Sequence, residues 1–258
     1  NPARVSSPSS GTISAKQMPS YYTPEIKDTS EASFLLDGAE FHHLANVRRS
    51  AVGDEVSLNN GKGLLIRAKI VSIGKKQAEL VFLEEIKINP IRKYAIAFSL
   101  LKSQHDELIV EKCTELGAYA LFPFVSDTSV RKPSDNTRER FIKTALSAIK
   151  QCDNPWLPEV SETLTLKNQL DAIRAEGYQP VICSERRPDI WLDSLDEALP
   201  PCFVIGPEGG WSNSENTIFS SLPLSEITLS PLIARAETAA IAVASQWVFW
   251  ASRSFSSR

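Results

Sequence analysis

From Tyr94 onward, short apolar runs alternate with stretches of helical periodicity. That alternation restricts the fold more than any other feature, because strands separated by helices along one chain assemble a largely parallel sheet clothed by helices. The strands are "YAIAFSLL", "YALFPFVS", "QPVICSE", "CFVIG" and "EITLS". Between them, "DELIVEKCTELG" sets Leu108, Ile109, Cys113 and Leu116 on one helical face and stops at Gly117. Further helices are expected over 136–152, in "TLKNQLDAIRAEG" and "NSENTIFSSL", and from about Ala236. Before Asn89-Pro90 the pattern differs. From Ser33 to Glu85, alternating apolar runs are punctuated by Asn60-Gly61 and Gly74-Lys75, which predicts antiparallel hairpins and a small barrel.

The segment "CFVIGPEGGWSNSENTIF" carries the clearest site signal. A buried strand ends at Gly206-Pro207, a glycine turn follows, and Ser212-Asn213-Ser214-Glu215 forms a capping box that starts the next helix near Ser212. Such a turn offers unpaired N–H groups to an anion. A P-loop, however, needs Lys and then Ser or Thr after its last glycine, whereas Trp211 and Ser212 follow Gly210; G-x-G-x-x-G occurs nowhere. Glu208 within the turn would repel phosphate. A neutral or cationic ligand suits this loop better, with a plain tight turn as the alternative.

The net charge of -3 carries no global nucleic-acid signal, so any RNA binding must rest on local clusters, Arg48-Arg49 with Lys62, and Arg131, Lys132, Arg138, Arg140 and Lys143, for which a solvated helix face is the more common alternative. Cys113, Cys152, Cys183 and Cys202 are widely spaced without a C-x-x-C pair, which favours reduced thiols, a reducing compartment and no metal. With only His42, His43 and His105, a histidine-rich metal site is not expected. No stretch reaches the roughly twenty apolar residues of a membrane span, and Ala236–Ala251 reads as a buried helix. Residues 1–24 are serine-rich and acid-free, with Arg4 and Lys16. They suit a disordered tail, an organellar transit remnant or a cloning remnant.

"IGPEGGWSNSE" followed by "ITLSPLIARAETAAIAVAS" resembles the carboxyl-terminal signature of the RsmE-type methyltransferases, members of the SPOUT superfamily that methylate N3 of a uridine in small-subunit (16S-type) ribosomal RNA. The likeness continues upstream in Lys102 and in Lys112, Glu115, Leu116 and Gly117, and in "FHHLANVRRSAVGDEVSLNNGKG" of the first part. "MPSYY" is similar to the family's usual start, making residues 1–17 an extension. The resemblance implies a PUA-like RNA-binding β-barrel over 18–90, then an α/β SPOUT domain over 91–258 with a carboxyl-terminal trefoil knot, working as a homodimer. It implies S-adenosylmethionine against Ser184, Gly206, Pro207, Glu208, Gly210, Leu229, Leu232 and Ala234, and RNA contacts at Arg49, Lys62 and Arg131. A cationic sulfonium tolerates Glu208. The setting implied is a chloroplast or mitochondrion if residues 1–17 are a transit remnant, otherwise the cytoplasm.

The chain departs from the family pattern in two places. Ser230, Pro231, Leu232, Ile233, Ala234 and Arg235 stand where the family has Gly-x-Arg-Ile-Leu-Arg, and Lys150 to Asn154 replace "E-Q-x-x-R". Because uridine N3 must lose a proton while charge spreads to the flanking carbonyls, Arg235 is the candidate cation and Glu237 its orienting group or the proton acceptor. The alternatives are an ion pair that only supports the helix start, a lapsed or retargeted homologue that binds RNA or the ribosome, and a small-molecule α/β enzyme. In the last helix Ile241, Val243, Val248 and Phe249 cannot share one face, so burial on two sides is expected, the second by another subunit.

Overall fold

The computed structural model describes residues 18–30, 32–90, 92–184, 190–195 and 198–255. The expected amino-terminal extension, residues 1–17, lies outside them.

The first unit contains β1 (Ser20–Tyr22), β2 (Ser33–Leu36), α1 (Gly38–His42) continuing into a π-helical turn (His43–Val47), β3 (Glu55–Asn59), β4 (Leu64–Ile73) and β5 (Ala78–Lys87). Its sheet order is β1-β3-β4-β5-β2. As the hairpin pattern predicts, β3, β4, β5 and β2 pair antiparallel, whereas β1 joins β3 in parallel. Along β4, Ile66, Ala68 and Ile70 are buried while Arg67 and Lys69 face outward, the period-two signature of a sheet with one wet face. Register shifts between Arg67 and Ala68 and between Ile70 and Ser72 add local twist to the sheet. Tyr21, Phe41, Leu44, Leu58 and Leu80 fill the space beneath it.

The second unit runs β6 (Ala95–Ser99), a short 3-10 turn (Lys102–Gln104), α2 (His105–Glu115), β7 (Ala120–Val125), α3 (Thr137–Cys152), β8 (Glu159–Val160), β9 (Leu164–Thr165), α4 (Leu166–Ala175), β10 (Gln179–Cys183), β11 (Pro201–Ile205), α5 (Asn213–Ser221), β12 (Ser225–Ile227) and α6 (Ala236–Phe255). Its strands are all parallel in the order β12-β10-β11-β6-β7-β8, with β9 also on β7. Both faces are covered, which is why the central strands read as unbroken apolar runs. Ile96, Phe98, Leu121 and Phe203 meet α2, α3 and α6 on one side. Ala97, Phe122, Phe124 and Val204 meet α4 and α5 on the other.

The face expected of α2 is corrected in part. Ile109 and Cys113 are buried as expected, but Leu108 is 37 % exposed, and Val110 and Thr114 enter the core in its place.

The two units are tied through the 150–154 segment, one of the departures from the family pattern. Lys150 pairs with Glu40 at 2.8 Å, and the Asn59 side-chain amide donates to the Asn154 carbonyl at 2.7 Å. The Asn154 side chain in turn donates to the Thr114 carbonyl at 2.8 Å and accepts from the Trp156 N–H at 3.0 Å. Backbone bonds from Gly63 to Pro155 and from Leu157 to Gly61 continue the seam. Among the described residues, no helix is long and apolar enough to cross a membrane, no group of His, Cys, Asp and Glu is placed to hold a metal, and all four cysteines are unpaired.

Candidate functional site

In open α/β sheets, ligands bind beyond the carboxyl ends of the strands where the strand order reverses. Here the chain leaves β11, runs through α5, and returns as β12 on the far side of β10. The ends of β10, β11 and β12 open on a cavity of about 600 Å³. Its wall holds Ser184, Gly206, Pro207, Glu208, Gly210, Leu229, Leu232, Ala234, Arg235 and Glu237, so the candidates for cofactor and catalysis meet in one place.

The glycine turn is rigidly framed. Ser212 caps α5 by accepting from the Glu215 N–H at 3.1 Å, and the Glu215 carboxylate accepts from the Ser212 N–H at 2.8 Å, completing the expected capping box. Glu215 also accepts from the Asp127 N–H at 3.2 Å, and Thr128 donates to the Gly210 carbonyl at 2.9 Å, so the loop after β7 braces the turn. Asp127 accepts from the Ser214 and Ser212 hydroxyls, which hold its carboxyl below the usual range. Trp211 folds back over the turn, stacked on Phe124 with ring centroids 6.0 Å apart and edge-on to Phe219 at 4.8 Å. A Cβ at Gly206 would come within 2.9 Å of its indole, which explains the glycine there. Gly210 differs: a Cβ would meet nothing, and the constraint is its φ of +73°.

The opposite wall is the 228–235 segment. Ser230, standing where the family has glycine, accepts through its hydroxyl from the Leu232 N–H at 3.0 Å, and Gln246 of α6 donates to the Leu229 carbonyl at 3.0 Å. Arg235 is exposed at the cavity margin, while Glu237, in the first turn of α6, is 8 % exposed. Its Oε1 lies 3.3 Å from His105 Nδ1.

His105, Cys183, Trp211 and Thr228 also line the cavity. No pattern in the sequence assigns any of the four to the site. Trp211 directly follows the glycine turn and His105 lies close to the Lys102 motif, so proximity was a signal for those two. Burial pushes the Cys183 thiol up, away from a reactive thiolate.

The lining chemistry fits a small cationic ligand with an apolar body. The volume falls in the roughly 300–1,000 Å³ range of small-molecule clefts. Among the described residues of its wall, Leu229, Leu232 and Ala234 supply apolar surface, Glu208 and Glu237 are the carboxylates, Arg235 is the cation, and no lysine is present.

The three RNA candidates are not gathered in this way. Arg49 and Lys62 are exposed on the first unit, Arg49 with φ 53° just past the π-helical turn and Lys62 bridged by its backbone to Trp156. Arg131, the third candidate, pairs with the fully buried Asp106 carboxylate, which would otherwise be uncompensated.

Comparison with known proteins agrees with this geometry. Residues 87–248 match the RNA methyltransferase domain family and residues 36–83 the RNA methyltransferase PUA domain. The ribosomal RNA small subunit methyltransferase E of Bacillus subtilis is 30 % identical over 80 % of this chain and 86 % of its own. That of Synechocystis is 29 % identical over 81 % and 70 %. Among solved structures, a ribosomal RNA small subunit methyltransferase E from Neisseria gonorrhoeae bound to S-adenosyl methionine superposes with TM-score 0.81 at 24 % identity, covering 90 % of this chain and 98 % of that one.

Proposed function

The chain belongs to the RNA methyltransferase family, and on that premise we propose that it methylates N3 of a uridine in small-subunit (16S-type) ribosomal RNA with S-adenosylmethionine as donor. One observation carries the reading: the strand ends, the glycine turn and the start of α6 converge on one cavity that holds Arg235 and Glu237 and, among the described residues, no phosphate-binding lysine.

Bound there, S-adenosylmethionine would supply an electrophilic methyl group on a sulfonium. Ser184, the 206–210 turn, Leu229, Leu232 and Ala234 would hold it. Glu237 takes the N3 proton, and Arg235 faces the charge that gathers on the uracil carbonyls as the proton leaves. No nucleophilic thiol is needed, because nitrogen itself attacks. The first unit, residues 18–90, supplies the RNA platform with Arg49 and Lys62, and residues 91–258 form the knotted methyltransferase domain.

The active form is a twofold dimer. Leu232 is 77 %, Ile233 85 % and Phe249 64 % exposed in the single chain. Large apolar side chains bordering the cavity and the end of α6 are what a second subunit would cover.

The test is methyl transfer from labelled S-adenosylmethionine to small subunits or their RNA, with mass mapping for 3-methyluridine. Arg235→Ala should lower the single-turnover rate far more than cofactor affinity. Cofactor binding without transfer to either substrate would instead favour a lapsed homologue that only binds RNA.

A further inference from the structure

We infer that His105 is a positioning residue for this methyl transfer, acting through Glu237; the inference rests on the function proposed above. Ser103 and Gln104, just before α2, both occupy the left-handed region, with φ of 53° and 63°. Gln104 makes no side-chain cap bond to the helix. Consecutive L-residues in that region are sterically disfavoured, and such backbone persists where the surroundings hold it, often at functional sites. The turn delivers His105, the first residue of α2, to the cavity wall.

Opposite stands Glu237. His105 Nδ1 is 3.3 Å from its Oε1, a close contact without hydrogen-bond geometry, and both that Nδ1 and the Glu237 Oε2 are out of solvent without a hydrogen-bond partner. Among the described residues, the imidazole is the one side chain paired with this carboxylate. The neighbouring charges are committed elsewhere: Asp106 to Arg131 at 2.5 Å and Glu107 to Arg140 at 2.6 Å. Among the described residues, Arg235 and Glu208 are the other charged groups on the cavity wall.

A buried carboxylate without a partner is free to change its orientation. With His105 packed against it, Glu237 is held in a fixed place. As the uridine N3–H bond breaks, its electron pair remains on nitrogen and its proton forms an O–H bond on Glu237. The acceptor must be aligned with N3 for this, and His105 secures that alignment.

The full-length protein, His105→Ala, His105→Asn, Glu237→Gln and the double variant His105→Ala/Glu237→Gln are compared. Single-turnover methyl transfer to small-subunit RNA is measured at saturating S-adenosylmethionine, alongside cofactor Kd by calorimetry and Tm. His105→Ala should slow transfer roughly a hundredfold, as misplacement of a reacting group does, with Kd and Tm unchanged. His105→Asn, whose amide nitrogen stands near the Nδ1 position, should recover most of the rate. The double variant should be no slower than Glu237→Gln alone. Full activity in His105→Ala, a loss that only follows Kd or Tm, or multiplicative losses in the double variant would each overturn the inference. A wild type that transfers no methyl group would fail the functional reading and this one with it, whereas an active wild type with an equally active His105→Ala fails this one alone.

Discussion

One guanidinium nitrogen of Arg131 lies 2.6 and 2.5 Å from the two carboxylate oxygens of Asp106, joining the loop after β7 to the start of α2. Burial raises the Asp106 carboxyl above its usual range, and Arg131 opposes that rise. A carboxyl raised on folding favours the folded state at low pH, and that contribution is lost as pH climbs through its folded value. Arg131→Ala should therefore cost about 3–5 kcal/mol near neutrality, the usual penalty for stranding a buried charge. The deficit should shrink as acid lets Asp106 protonate. Urea denaturation of both proteins at several pH values measures this, and a cost that does not change with pH would contradict it.

Asn154 should matter for the joint between the two units. Asn154→Ala strands the Trp156 N–H and removes one of the two bonds to the Thr114 carbonyl, which the Gly117 N–H also reaches, at about 1–3 kcal/mol for the stranded group if no water replaces the bond. Hydrogen exchange should report faster opening along 59–63 and 154–157, with the β6–β11 strands unchanged.

The glycine turn can be probed at Gly206, where any side chain meets the Trp211 indole. Cofactor present at a hundred times its Kd should stabilise the wild type by about 2.7 kcal/mol. Gly206→Ala should displace Trp211 from Phe124 and abolish most of that gain. Trp fluorescence and thermal melts with and without S-adenosylmethionine read both effects.

Arg49 and Lys62 are the exposed cations proposed to meet phosphate. Removing either should weaken RNA binding and reduce the slope of log K against log salt by roughly one unit. Arg131→Ala should leave the slope unchanged once its lower stability is allowed for. A reduced slope in Arg131→Ala, with Arg49 and Lys62 silent, would move the RNA to the other face.

Phe249→Asp places a charge on the exposed side of α6 without touching the cavity wall. Light scattering should show a dimer becoming a monomer, and methyl transfer should fall with it. A monomeric wild type at full activity would remove the dimer from the mechanism.

Local physics was legible in the sequence alone. Period-two alternation in β4, the unbroken apolar run of β11, the Ser212–Glu215 capping box and the start of α6 depend on neighbours a few residues away. The glycine turn and the resemblance also identified which segments make the cavity. Tertiary structure decided the rest, because packing brings together residues whose spacing along the chain carries no pattern. His105 meets Glu237 only because α2 and α6 cover the same sheet face. Arg131, one cation in a basic run, pairs with Asp106 because folding sets the loop after β7 against the start of α2. Leu108 looked like core, yet it gave way to Val110 because the sheet and the two flanking helices, not the helix's own periodicity, set which arc of α2 is buried.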